Sequence, residues 1–134
     1  MSFKILHLLT AAMLCTGCGA APTKELPMQT SVTLQPTRTA ALGPATLRFD
    51  GVEDSRCPPD VQCITAGMIT YKFTLTGETG TESFALNKDK PTYDATTLKG
   101  AHIGLGAIVE PPPRPTTAST PAPIHSVTLN ITRK

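Results

Sequence analysis

Residues 69–76 read Ile-Thr-Tyr-Lys-Phe-Thr-Leu-Thr, and this stretch alternates strictly between apolar and polar side chains. Successive side chains of a β-strand point to opposite faces, so a period of two predicts a strand with one buried and one solvated face. The turn residues Gly-Glu-Thr-Gly follow at 77–80, and Phe84 and Leu86 then alternate with polar residues up to Asn87. The two alternating stretches therefore predict a β-hairpin.

The same alternation recurs on both sides of this hairpin. Apolar and polar residues alternate at 32–34, 46–50 and 127–132, apolar residues recur at every second position from 103 to 109 with glycines at 104 and 106, and 93–98 is a weaker strand candidate. No segment after residue 17 combines a helical apolar stripe with capping residues. About seven short strands at this spacing predict an all-β fold, either an antiparallel β-sandwich of the immunoglobulin-like kind or a small barrel-like sheet.

The N-terminus has the pattern of an export signal. One lysine precedes a short apolar run at 5–14, and small residues then lead to Cys18. This run is too short to cross a membrane and is typical of a secretory signal peptide, which we place at 1–17. Cys18 at the cleavage point resembles the lipobox cysteine of bacterial lipoproteins. A plain secretory signal is the alternative, because Cys15 stands where that pattern usually has leucine.

The lipobox resemblance implies an address and a domain plan. Cys18 would be acylated and would attach the chain to a membrane, and Gly19 at the next position implies the outer membrane, facing the periplasm. Residues 18–30 hold small residues and prolines without periodicity, which predicts a flexible tether. The remaining residues, 31–134, are predicted to form the β-sandwich domain.

The charge balance excludes one class of partner. The chain has 12 Lys and Arg against 10 Asp and Glu, a net charge of +2, and the basic residues are scattered. Such a balance gives no long-range field for a polyanion, so no nucleic-acid binding is expected. There is also no glycine-rich phosphate loop ahead of a helix, and we predict no cofactor.

Residues 53–67, termed the clasp, concentrate the distinctive chemistry of the chain. Cys57 and Cys63 flank the prolines at 58–59, whose fixed φ angles favour a turn that can bring the two sulfurs together. We predict a structural disulfide. A loop this short contributes about 2 to 3 kcal/mol, so the bridge would shape the loop more than it would stabilise the whole domain.

The other cysteines agree with this pairing. Cys15 would be lost with the signal peptide and Cys18 would carry lipid, which leaves no unpaired thiol in an oxidising compartment. The alternatives for the clasp cysteines are a redox pair and a metal site completed by His102 or His125. The spacing lacks both the Cys-x-x-Cys of redox pairs and the short paired spacings of structural zinc sites, and we predict no metal.

The clasp also carries a family resemblance. Residues 54–58 read Asp-Ser-Arg-Cys-Pro, residues 61–64 read Val-Gln-Cys-Ile, and Ala-Gly follows at 66–67. This run resembles the signature of a family of small uncharacterised bacterial lipoproteins, Asp-Ser-Arg-Cys-Pro followed by Cys-(Val/Ile)-Trp-Ala-Gly. The resemblance extends over about residues 45–76 and implies no particular activity. Thr65 stands where that family has tryptophan, so this chain has no aromatic ring at that position.

Residues 110–123 form a proline-rich segment, with prolines at 111, 112, 113, 115, 121 and 123. Such a run cannot pair inside a sheet and favours an extended, solvated conformation. It is either a docking ligand for a partner's groove or a long surface connection between strands. We favour the connection, because the alternating strand at 127–132 must return to the same core.

Our leading hypothesis is a lipid-anchored, non-catalytic binding or structural module with an envelope protein as partner. Loops carry function on rigid β scaffolds, and the clasp is the one loop that combines rigidity with charge. We predict the exposed determinants to be Asp54, Ser55, Arg56 and Asp60, framed by Cys57 and Cys63.

Two alternatives stay open. A hydrolase could use Ser55 with His102 or His125 as base, which requires a ring within hydrogen-bond reach of the hydroxyl. No nucleophile-elbow motif surrounds Ser55, and each histidine reads as a surface residue, so we do not expect an enzyme. The other alternative is a passive structural spacer.

Overall fold

A computed structural model describes Gly19 and residues 25–133. This part of the chain contains eight strands and one short 3₁₀ helix. The strands are β1 (Gln29–Leu34), β2 (Thr39–Leu42), β3 (Ala45–Asp54), β4 (Ile69–Gly77), β5 (Gly80–Leu86), β6 (Thr92–Ala95), β7 (Ala101–Leu105) and β8 (Val127–Thr132), and the 3₁₀ helix is Thr96–Leu98.

The strands form two four-stranded sheets in which every pairing is antiparallel. One sheet has the order β1-β8-β7-β6 and the other the order β2-β3-β4-β5. The predicted hairpin is confirmed, since β4 pairs with β5 and Gly77 faces Gly80 across the turn. The fold is the predicted all-β, antiparallel sandwich, and the two sheets do not close into the barrel-like alternative.

Alternating apolar side chains of both sheets form the core. Phe49, Phe73 and Phe84 stack in series across the second sheet, with centroid distances of 5.0 and 5.4 Å. Phe84 also stacks on Tyr93 of the first sheet at 4.3 Å, which joins the two layers. Among the described residues no charged side chain is buried, so apolar burial and aromatic packing stabilise the sandwich.

Three segments differ from the sequence prediction. Strand β2 was missed, because Thr-Ala-Ala-Leu has little β propensity and is recruited by pairing with β3. The candidate at 93–98 is a strand only as far as Ala95 and then turns as the 3₁₀ helix. The alternation at 103–109 is strand only to Leu105. The Gly106 N–H still donates to the Thr128 carbonyl at 2.7 Å, and a Cβ at Gly106 would lie 2.9 Å from that oxygen, so glycine permits this close approach.

The domain begins before residue 31. Strand β1 starts at Gln29, and Leu26 is buried with 6% of its surface exposed. Arg133 Nη1 donates to the Leu26 carbonyl at 2.7 Å and pairs with Glu25 at 3.2 Å, so both chain ends of the sandwich meet. The predicted signal peptide at 1–17, Cys18, and the predicted tether up to residue 24, apart from Gly19, lie outside the described residues.

Glu82 on edge strand β5 joins its sheet to the other one. Its carboxylate accepts hydrogen bonds from the Tyr93 hydroxyl at 2.8 Å, from the Thr97 backbone N–H at 2.9 Å and from the Thr96 hydroxyl at 3.0 Å. Burial alone would raise the pKa of Glu82, but the hydrogen bonds from Thr97, Tyr93 and Thr96 outweigh it and lower the pKa to about 2. The ionised carboxylate therefore stabilises the contact between the sheets.

The sandwich has two different ends. The proximal end gathers the start of the described domain, the β4–β5 turn and residue 133 around a cleft of about 630 Å³. The distal end gathers the turn after β1, the clasp, and the connection from β7 to β8 that contains the proline-rich segment. Strand β3, with 10 residues, runs from one end to the other, a length of roughly 30 Å.

Candidate functional site

The clasp and the proline-rich segment pack against each other at the distal end. The clasp connects β3 to β4, and the proline-rich segment lies in the connection from β7 to β8, so each comes from a different sheet. The sequence reasoning placed the proline-rich segment on the surface and did not predict this contact. Two sets of side-chain contacts, made by Arg56 and Asp60, join the two loops into one unit.

The predicted disulfide joins Cys57 and Cys63, whose Cα atoms are 5.8 Å apart. This separation lies within the usual range for a bridged pair. The Cys57 N–H donates to the Ala66 carbonyl at 3.0 Å, so the ladder of β3 and β4 continues a short way into the clasp. The bridge and this hydrogen bond fix both the width and the direction of the loop.

Ser55 and Gly67 close the neck of the clasp. The Ser55 hydroxyl donates to the Met68 carbonyl at 3.0 Å and accepts from the Met68 N–H at 3.1 Å. Gly67 has a φ of +67°, and a Cβ there would lie 1.8 Å from the Ser55 carbonyl oxygen. Only glycine fits this close approach in a left-handed conformation.

Arg56 connects the clasp to the proline-rich segment. Its Nε and Nη2 donate to the two carboxylate oxygens of Asp54 at 2.9 and 2.7 Å, which is a bidentate pair. Its Nη1 donates to the Pro111 carbonyl at 2.8 Å and lies 3.8 Å from Glu110. Only 14% of the Arg56 side chain is exposed. The hydrogen bond from Arg56 lowers the pKa of Asp54, so this pair stays ionised.

Asp60 makes the second connection from inside the disulfide ring. The Thr116 backbone N–H donates to its carboxylate at 2.9 Å, and the Thr116 hydroxyl donates to the same carboxylate. These hydrogen bonds lower the pKa of Asp60. The carboxylate therefore caps a turn of the proline-rich segment and holds it against the clasp.

The predicted determinants Asp54, Ser55, Arg56 and Asp60 thus lie together at the distal end, but each has a partner within the protein. The sequence reasoning missed the apolar side chains that reach solvent around them. Four large apolar residues are exposed at this end, Val61 (44%), Ile64 (104%), Val109 (97%) and Ile124 (74%). Each of these residues stands near prolines or turn residues in the sequence, and this position could have indicated that they lie in exposed loops.

A cleft of about 450 Å³ lies between the clasp and the proline-rich segment. Arg114, His125 and the Asp54–Arg56 pair line it together with several prolines. His125 packs edge-on against Tyr71, with ring centroids 6.2 Å apart. The Tyr71 side chain is buried, and its hydroxyl has no hydrogen-bond partner within residues 25–133. Burial also raises the pKa of this phenol.

The two described histidines are placed differently. His102 on β7 faces Asp94 on β6, and its Nδ1 lies 3.0 Å from that carboxylate. His125 lines the distal cleft, whose lining does not include Ser55. Neither histidine ring hydrogen-bonds the Ser55 hydroxyl in the described part of the chain, where that hydroxyl is occupied by the Met68 backbone. In this geometry the Ser55 hydroxyl therefore contributes to the neck of the clasp.

The described residues contain no group of three or more His, Cys, Asp or Glu side chains arranged to hold a metal ion. In the same part of the chain no helix has the length and apolar character needed to cross a membrane.

Comparison of the chain with protein-family models, with curated proteins and with solved structures found no match.

Proposed function

We propose that this chain is a non-catalytic binding module of the bacterial envelope, attached by lipid on Cys18 and presenting its distal end to a protein partner. The clasp and the proline-rich segment brace each other into one surface at the end of the sandwich opposite residue 25, and this single observation carries the proposal. Preformed loops lose little conformational entropy on binding, which favours recognition.

The exposed apolar side chains support a protein as the partner. Ile64 of the clasp is fully exposed, and Val61 of the clasp and Val109 and Ile124 of the β7–β8 connection are exposed as well. Exposed apolar surface rimmed by polar groups is typical of protein interaction sites, and these four are the large apolar side chains that the described distal end exposes. The hydrogen bonds of Asp54, Arg56 and Asp60 fix the two loops that carry these side chains.

The attachment geometry points in the same direction. Residues 18–25 could extend over at most roughly 25 Å, and the sandwich adds roughly 30 Å beyond them. A chain anchored at Cys18 would hold its proximal end toward the bilayer and its distal end away from it. Gly19 after the lipidation position favours the outer membrane, with the domain in the periplasm.

Photocrosslinking in intact cells tests this function. A photoreactive amino acid at position 64 should capture one defined envelope protein, whereas the same group at position 79, in the proximal turn, should not capture it. Capture of the same protein from both positions, or of unrelated neighbours only, contradicts the proposal. Growth phenotypes that depend on the sandwich but not on Ile64 would instead favour the passive spacer.

A further inference from the structure

The distal cleft has the size of a small-ligand site. Its volume of about 450 Å³ falls in the range of roughly 300 to 1,000 Å³ typical of such sites. It opens between the clasp and the proline-rich segment, the two loops that the Arg56–Pro111 and Asp60–Thr116 contacts hold in place. A ligand there would enter a site that already has its bound shape.

Proline rings form much of the apolar part of the cleft lining, beside its charged groups. They include Pro36 from the turn after β1, Pro58 from the clasp, and Pro112 and Pro123 from the proline-rich segment. Proline rings fix φ and carry no N–H, so they present apolar surface with little freedom to lose on binding. Such walls favour an organic ligand over a bare inorganic ion.

Two of the charged groups in the cleft are already satisfied. Arg56 donates through Nε and Nη2 to Asp54 and through Nη1 to the Pro111 carbonyl. Both Asp54 carboxylate oxygens accept in return, so this pair is internally neutral. It shapes the cleft without leaving a strong site for a charged ligand.

In the described part of the chain, Arg114 and His125 are the lining residues whose side chains still have N–H groups free to hydrogen-bond a ligand. The guanidinium of Arg114 makes one hydrogen bond within residues 25–133, from Nη2 to the Ala118 carbonyl at 3.3 Å. No residue in that range hydrogen-bonds the His125 ring, and its Nδ1 is buried, which leaves Nε2 as the nitrogen for a ligand. Because the Asp54–Arg56 pair is internally neutral, Arg114 is the lining cation left to face a ligand anion.

We propose that this cleft binds the carboxylate of a small organic acid or peptide end. Arg114 supplies a forked pair of donors and His125 supplies a further one, while the proline rings pack against the rest of the ligand. Asp54 and the nearby Glu110 make the cleft unfavourable for a doubly charged phosphate. The inference rests on the proposed function, since it gives the same distal surface a chemical specificity.

A titration of the full chain followed by two-dimensional NMR tests the assignment. The probes are acetyl-dialanine with a free carboxylate, its C-terminal amide, and inorganic phosphate. The carboxylate should shift the Arg114 Nε–H and His125 ring signals saturably, and the amide should not. Arg114→Gln should weaken binding about tenfold or more, which is the scale of a lost charge-assisted hydrogen bond. The matched control Arg48→Gln, on exposed strand surface, should leave binding unchanged.

Other outcomes overturn the proposal. Equal binding of the amide, full binding by Arg114→Gln, no response at millimolar carboxylate, or phosphate binding as tight as the carboxylate each contradict a carboxylate site. A failed titration with an intact crosslink from position 64 would remove only the cleft ligand. A measured carboxylate affinity without a crosslinked protein would remove only the protein partner.

Discussion

Replacing Arg56 by alanine should uncouple the clasp from the proline-rich segment. The variant loses the bidentate pair with Asp54 and the 2.8 Å hydrogen bond to the Pro111 carbonyl. A hydrogen bond from a charged donor contributes about 1.5 to 3 kcal/mol, and the Arg56 side chain is only 14% exposed, so solvent screens little of it. Asp54 is about one third exposed and can rehydrate, so we expect the free energy of unfolding to fall by about 2 kcal/mol in total.

Urea denaturation of the full chain measures this loss, and limited proteolysis reports whether residues 110–123 become accessible. The matched control is Arg48→Ala, because Arg48 pairs with Asp50 at 3.5 Å with 57% of its side chain exposed. That variant should change stability by less than about 0.5 kcal/mol. An Arg56→Ala loss as small as the control, with no new cleavage in the proline-rich segment, would refute the coupling.

Three further predictions concern individual contacts. The pKa of Glu82 is lowered from 4.5 to about 2, so the ionised carboxylate stabilises the fold fully above pH 4.5, and this stabilisation is lost as pH falls toward 2. Glu82→Gln should therefore lower the free energy of unfolding by about 2 kcal/mol at neutral pH. In a plot of stability against pH, the variant should lose less stability than the native protein between pH 4.5 and 2. Gly67→Ala should lower the free energy of unfolding, measured by urea denaturation, by about 2 kcal/mol or more. Gly51→Ala, which has open space at its Cβ, should change it by less than about 0.5 kcal/mol. Equal effects of the two substitutions would contradict the close approach of Gly67 to Ser55. Tyr71→Phe removes a buried hydroxyl without a described partner, so calorimetry should find stability unchanged or raised by about 1 kcal/mol, and a clear loss would reveal a hydrogen bond.

The sandwich was predictable because its strands alternate in local sequence. Strand β4 places Ile69, Tyr71, Phe73 and Leu75 on its buried face, the same four apolar positions that the period of two assigns to one face. The disulfide was predictable for a similar reason, since prolines between two nearby cysteines constrain a short loop. Both predictions depend only on residues that are close in sequence.

The interactions that build the distal surface depend on distant residues instead. Arg56 bonds to Pro111, 55 positions away, and Asp60 bonds to Thr116, 56 positions away. Local sequence patterns do not indicate such distant pairs. Arg56 and Asp60, predicted as exposed determinants, therefore bond to backbone groups of a segment that the sequence did not place beside them. The exposure of Ile64, next to the bridged Cys63, is likewise a property of the folded loop that the local sequence does not indicate.

Hydrogen exchange at the Thr116 backbone amide tests the central claim most directly. In the native full chain this N–H donates to Asp60 across the junction of the two loops, so its exchange should be slowed well below the free-peptide rate. Asp60→Ala should bring it close to that rate while the amides of β4 stay protected. A Thr116 amide that exchanges as fast as a free peptide in the native protein would show that the clasp and the proline-rich segment do not form one surface.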